Sequence, residues 1–136
     1  MALDNNKARP AMIICALLCF VLSMHAGAVG REDAGARIRQ GYLLVEQGAL
    51  DEALVLFDEA LKLNPRSHEA KTGRGIVLAR KGNLGDAKRA LTDALLLNPN
   101  PVRTHYELGL VYEKLGNTEK AVAELKQGIS RHEQGR

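Results

Sequence analysis

Residues 34–67 read AGARIRQGYLLVEQGALDEALVLFDEALKLNPRS, and the fold is decided in this stretch. Two apolar patterns of helix length lie on either side of Gly48, and the pair Asn64-Pro65 closes the second. Stepped by 34 residues, the pattern returns twice. Gly41, Gly75 and Gly109 fall in one column, Gly48, Gly82 and Gly116 in another, and Ala53, Ala87 and Ala121 in a third. The same step aligns Leu44, Leu78 and Tyr112, then Phe57, Leu91 and Leu125, then Ala60, Ala94 and Gly128, and Pro65 with Pro99. A fixed period of this length marks a stacked array in which each unit is a helix pair. The units run over 34–67, 68–101 and 102–135.

Each column has a physical reason. Gly48, Gly82 and Gly116 end the first helix of each pair, where a left-handed residue closes the helix without a Cβ penalty. Asn83 and Asn117 follow as N-caps, and Asp51 and Glu52 place negative charge in the first turn of a second helix. Gly41, Gly75 and Gly109 are expected to face Ala53, Ala87 and Ala121 across the pair, which permits close antiparallel approach. Leu44, Phe57, Leu78, Leu91, Tyr112 and Leu125 then fill the remaining volume at helical spacing. Asn64 and Asn98 precede prolines and so avoid the α region, which stops the second helices. Ser67 is placed to cap the helix that follows.

On these residues the sequence resembles three tetratricopeptide repeats. Gly41, Leu44, Gly48, Ala53, Phe57, Ala60 and Pro65 fit that family's pattern in the first unit, and the resemblance extends from Ala34 to about Arg131. It implies an all-α fold, a right-handed α-solenoid of three stacked helix-turn-helix units with six helices. Three departures stand out: Arg37, Lys71 and His105 occupy the early aromatic position, Leu91 and Leu125 replace the aromatic that Phe57 supplies, and Glu133 stands where proline is usual.

The resemblance further implies that the first helix of every pair lines a concave groove in which a peptide or helix of another protein lies. The residues expected to project there are Ile38, Arg39, Tyr42, Val45, Thr72, Gly73, Ile76, Ala79, Arg80, Arg103, Tyr106, Leu110 and Lys114. They form an apolar floor with tyrosines, and Arg39, Arg80 and Arg103 are available for carboxylates. The alternative is that packing between helices hides most of them. One specialised use of the family, the clamp on the Glu-Glu-Val-Asp end of heat-shock chaperones, is rejected: its positions hold Ile38, Tyr42, Gly73, Arg103 and Glu107, of which only Arg103 fits. Family members often add a capping helix after the last repeat, and none fits after Arg131. Val122, Leu125 and Ile129 are therefore expected to form a partly uncovered stripe for self-association, unless Lys126, Gln127 and His132 drape over it.

Outside the repeats, Lys7 and Arg9 precede Ala11 to Ser23, 13 residues without a charge, and a small-x-small site follows at Ala26-Gly27-Ala28. This reads as a secretory signal over 1–28, leaving a repeat domain over 29–136. The rival reading is a retained membrane anchor, since the uncharged run extends to Gly30. Either way the domain is exported, and the periplasm is the expected compartment. Cys15 and Cys19 both lie in this segment, so disulfides, thiol catalysis and cysteine-based metal sites are unavailable to the repeats.

The remaining composition excludes more than it assigns. The chain has 19 basic and 16 acidic residues, a net charge of +3, with both signs interspersed, so no nucleic-acid field is implied. His68, His105 and His132 lack metal-ligand spacing. Gly73-Arg74-Gly75 is expected within a helix and not in a phosphate loop. No catalytic residue, metal or cofactor is assigned. The sequence is expected to give a non-catalytic adaptor in the cell envelope that serves assembly or secretion, or alternatively a scaffold self-associating through its third repeat.

Overall fold

The computed structural model describes residues 33–98 and 101–135. Six helices follow one another: α1 over 33–47, α2 Leu50–Leu63, α3 His68–Arg80, α4 Leu84–Leu97, α5 Val102–Lys114 and α6 Thr118–Gln134. No strand occurs among the described residues. Residues 1–32, and with them the expected signal or anchor, lie outside the described residues. Among the described residues no helix is long and apolar enough to cross a membrane.

The turn inside each pair is the same turn three times. Gly48, Gly82 and Gly116 have φ of 78°, 84° and 76°. The amide after each glycine reaches back five residues, Ala49 to Leu44, Asn83 to Leu78 and Asn117 to Tyr112, each at 2.9 Å. The glycine amides bond Val45, Ala79 and Glu113. These are the two bonds of a Schellman motif, which satisfies the last carbonyls of the helix. Asn117 also caps α6, its Oδ1 accepting from the Lys120 amide at 3.1 Å. Asn83 stands at the same position with no side-chain cap bond, so glycine sets this turn and asparagine only decorates it. Ser67 caps α3 by accepting from the Ala70 amide. Asn64 and Asn98 are extended, at φ −138° and −141°, as a residue before proline must be.

The pairs α3–α4 and α5–α6 pack within repeats, and α2–α3 and α4–α5 join one repeat to the next. The core follows this order. One cluster sets Val45, Ala53, Phe57 and Ala60 of the first repeat against Ala70, Ile76 and Val77 of the second. Another sets Leu78, Ala87, Ala90 and Leu91 of the second against Leu108 and Val111 of the third. The glycine column does not simply face the alanine column. A Cβ on Gly75 would stand 2.6 Å from Leu91 Cγ, and one on Gly109 would stand 2.9 Å from Leu125 Cγ, whereas the Ala87 and Ala121 carbonyls are at 3.4 and 3.3 Å. The large column rests directly on the glycines because a ring or leucine there needs the whole of the space.

Polar contacts replace the missing early aromatics. Arg37 pairs with Asp33 at 2.7 Å and with Glu59 at 2.9 Å. His105 is buried, with Nδ1 2.9 Å from Glu124 Oε2 on α6. Both tie the first helix of a pair to the second, as a packed ring at that position does.

Candidate partner-binding groove

Side chains of α1, α3 and α5 enclose a cavity of about 340 Å³ at one end of the first helices. Ile38, Thr72 and Thr104 form its floor, and Arg39, His68, Glu69 and Arg103 surround it. Tyr42 organises this end. Its ring meets Phe57 edge-on, with centroids 5.1 Å apart, and its hydroxyl donates to the Glu69 carbonyl at 3.0 Å. The Arg103 guanidinium lies over the same ring, 4.4 Å from the centroid. Burial pushes the Tyr42 phenol up to about 12, the Arg103 charge opposing the shift in part, so the hydroxyl keeps its proton at neutral pH.

Behind this end the floor is closed by one polar bond. Thr72 and Thr104 are both buried, and their hydroxyls lie 2.8 Å apart across the boundary between the second and third repeats. Further along, Arg80 donates to the Val45 carbonyl at 2.8 Å and sits 3.9 Å from Glu46. Burial raises the Glu107 carboxyl above its ordinary range, while Arg103, Arg80 and Lys114 pull it back down. The groove thus has an apolar base and a basic margin that is only partly neutralised.

The structure sorts the residues expected here. Arg39, Arg80, Arg103 and Tyr106 are exposed, Tyr106 at 52%, and Tyr42, Ala79 and Leu110 are half-buried. Ile76, at 1%, is a correction: it packs in the core cluster with Val45 and Phe57 of the first repeat, and it presents nothing to a ligand. Gly73 is likewise covered, by the Phe57 ring. Ile38 and Thr72 are buried at 7% and 3% and reach the cavity only as its floor. Sequence reasoning missed His68, Glu69, Pro101 and Thr104 in the lining. The Thr72–Thr104 spacing of 32 falls outside the 34-residue step, so aligning columns does not pair them.

At the far end of the stack Val122 and Ile129 are exposed, at 45% and 60%, while Leu125 is half-buried beneath Gly109. A larger depression of about 660 Å³ lies along α4, lined by Lys71, Arg74, Asp86, Lys88, Arg89 and Asp93 among others. It is wide and carries charges of both signs, which suits water better than an apolar ligand.

Two models of the tetratricopeptide repeat match the sequence, over residues 44–103 and 102–133, together well over half of the chain. The chain belongs to the tetratricopeptide-repeat family. No curated protein matches it. Among solved structures it is similar to MamA, with a TM-score of 0.67 at 23% identity over 76% of this chain and 60% of that one. A second MamA structure is covered to 63%, so the chain spans less than two thirds of either. The Arabidopsis OM64 repeat domain gives a TM-score of 0.72 at 19% identity, covering 77% of this chain and 87% of that one. The second repeat domain of Spaghetti (RPAP3), solved with the HSP90 peptide SRMEEVD, gives 0.67 at 14% identity over 71% and 90%. At these identities the likeness establishes the solenoid fold.

Proposed function

We propose that this protein is a non-catalytic adaptor that holds a peptide or helical segment of another protein against α1, α3 and α5. The observation that carries this reading is the cavity between Tyr42, Thr72 and Arg103, which combines an apolar floor with exposed arginines. Such a site favours a segment with one apolar anchor and a nearby carboxylate. The repeat domain of Spaghetti holds an acidic chaperone peptide, but here Ile38, Tyr42 and Gly73 stand where that use of the family needs cationic and amide side chains. A different ligand follows, with the apolar anchor as the larger contributor.

We also place the adaptor in a bacterial cell envelope, exported to the periplasm or anchored facing it, in the service of assembly or secretion of an envelope complex. The charged start, the 13-residue apolar run and the Ala26-Gly27-Ala28 site support this. N-terminal sequencing of protein from an envelope fraction tests it: a start at Val29 is expected, and a cytosolic protein beginning at Met1 overturns it.

The groove is tested by a photo-crosslinking residue placed at Glu69 or Arg80, with Lys62 on the back of α2 as the control. One partner should be captured from the first two positions and lost when Arg103→Glu is added. Equal capture from Lys62 overturns the reading.

A further inference from the structure

The two ends of the stack each leave a repeat-packing face uncovered at Leu43 and Ile129. Within the chain, the first helix of each later repeat presents a donor face to the repeat before it. Ala70 and Val77 of α3 pack among Leu54 and Leu61 of the first repeat, and Leu108 and Val111 of α5 pack with Leu91 and Leu95 of the second. Val77 and Val111 are fully buried in this way. One 34-residue step back, their counterpart is Leu43 on α1, exposed at 62%, with Ala36 and Gln40 exposed on the same face. The receiving columns behave in the opposite sense. Leu61 and Leu95 are half-buried by the next repeat, whereas Ile129 in the same column is open, as is Tyr106 in the column of Ile38 and Thr72.

The halves are also compatible in size and charge. Where the receiving face carries the Phe57 ring, the donor column must be Gly73. Where it carries Leu91, the donor column holds Glu107. The third repeat offers Leu125, and α1 brings Arg39, so a leucine again meets a long side chain whose stem lies along apolar surface. At the first boundary Arg74 pairs with Asp58, and Lys81 with Asp51. The same columns between copies join Gln40 to Lys126 and Gln47 to Glu119, so no like charges meet in these columns.

We propose that copies of this chain stack head to tail, the third repeat of one copy receiving α1 of the next around Leu43. This goes beyond partner binding in the groove. The donor and receiving surfaces are different patches, so each added copy leaves a surface like the one it consumed. Such a contact is heterologous and builds a linear array, not a closed pair.

Sedimentation velocity on the full chain over a concentration series tests the inference, using Leu43→Glu and Ile129→Glu. Both positions are exposed, so circular dichroism should show unchanged helix. Wild type should grow into species beyond the dimer. Each variant alone should associate at least about tenfold more weakly, because the new carboxylate enters an apolar contact unpaired. Mixed, the two variants should form a one-to-one complex and stop there, since Leu43→Glu keeps a sound receiving face and Ile129→Glu a sound donor face. A Leu43→Glu variant that still pairs with itself would show a two-fold contact and overturn the proposal. So would a wild type that stays monomeric throughout, as when residues 1–32 cover Leu43. The groove variant Arg103→Glu should assemble like wild type, which separates this result from the fate of the groove reading.

Discussion

The ring of Phe57 fills the space that any side chain at Gly73 needs: a β-carbon there would stand 2.2 Å from Phe57 Cε1. The same ring also lies close against Gly41, where a β-carbon would meet Cζ at 2.9 Å. Gly73→Ala should therefore destabilise the protein by about 1–3 kcal/mol, the usual cost of overpacking. Gly85→Ala, in open space, should instead gain up to about 1 kcal/mol by restricting the unfolded chain. Urea unfolding distinguishes them, and adding Phe57→Leu to Gly73→Ala should recover part of the loss. Equal effects of the two alanines would contradict the packing described.

The buried hydroxyl pair makes a double-mutant test. Thr72→Val or Thr104→Val alone strands one hydroxyl in the core and should cost about 1–3 kcal/mol. The double valine removes both polar groups and should cost much less than the sum. Additive losses in thermal unfolding would mean that the hydroxyls do not satisfy each other.

Glu107 gives a pH dependence of defined sign. Its carboxyl is raised in the folded state, so the fold binds that proton more tightly than the unfolded chain does. The stabilisation this confers is complete below the unfolded value of about 4.3 and is lost as pH rises through the raised folded value. Glu107→Gln should accordingly raise the melting temperature at neutral pH and have little effect in acid. The group is only half-buried, so the gain should stay below about 1 kcal/mol. A variant equally destabilised at both pH values would mean that the carboxylate is needed as an ion-pair partner.

Tyr42 and Arg103 are separable by substitution. Tyr42→Phe keeps the ring under the guanidinium and loses only the bond to the Glu69 carbonyl, about 0.5–1.5 kcal/mol. Arg103→Ala loses the cation over the ring, about 0.5–1 kcal/mol at an exposed site. Arg103→Ala should weaken capture of the groove ligand, whereas Tyr42→Phe should leave it near wild type. The reverse ranking in a binding titration would move the anchor from the arginine to the hydroxyl.

Backbone-driven features were legible from the sequence, and contact-driven ones were not. The glycine step at 48, 82 and 116 announced three identical turns, since few residues other than glycine accept that φ, and Asn64-Pro65 announced where α2 ends. Exposure along the groove was harder, because an apolar side chain on the first helix reads the same whether a ligand or the next helix covers it. Ile76 and Tyr106 both read as apolar groove positions, yet Ile76 packs in the cluster with Val45 and Phe57 while Tyr106 is exposed. The polar pairs Arg37–Glu59 and His105–Glu124 were hidden for another reason: they stand in positions where the family pattern directs attention to rings.

A single side chain, Tyr42, touches all three repeats: Phe57 in its own, the Glu69 carbonyl in the second and Arg103 in the third. Stacked arrays usually behave as one-dimensional chains in which a unit feels only its neighbours, so they fray inward from the ends. A bridge from the first unit to the third adds coupling beyond nearest neighbours, and it acts on the terminal units that would otherwise loosen first. The stack should therefore melt as one cooperative block, with amide exchange in α1 and α5 rising and falling together.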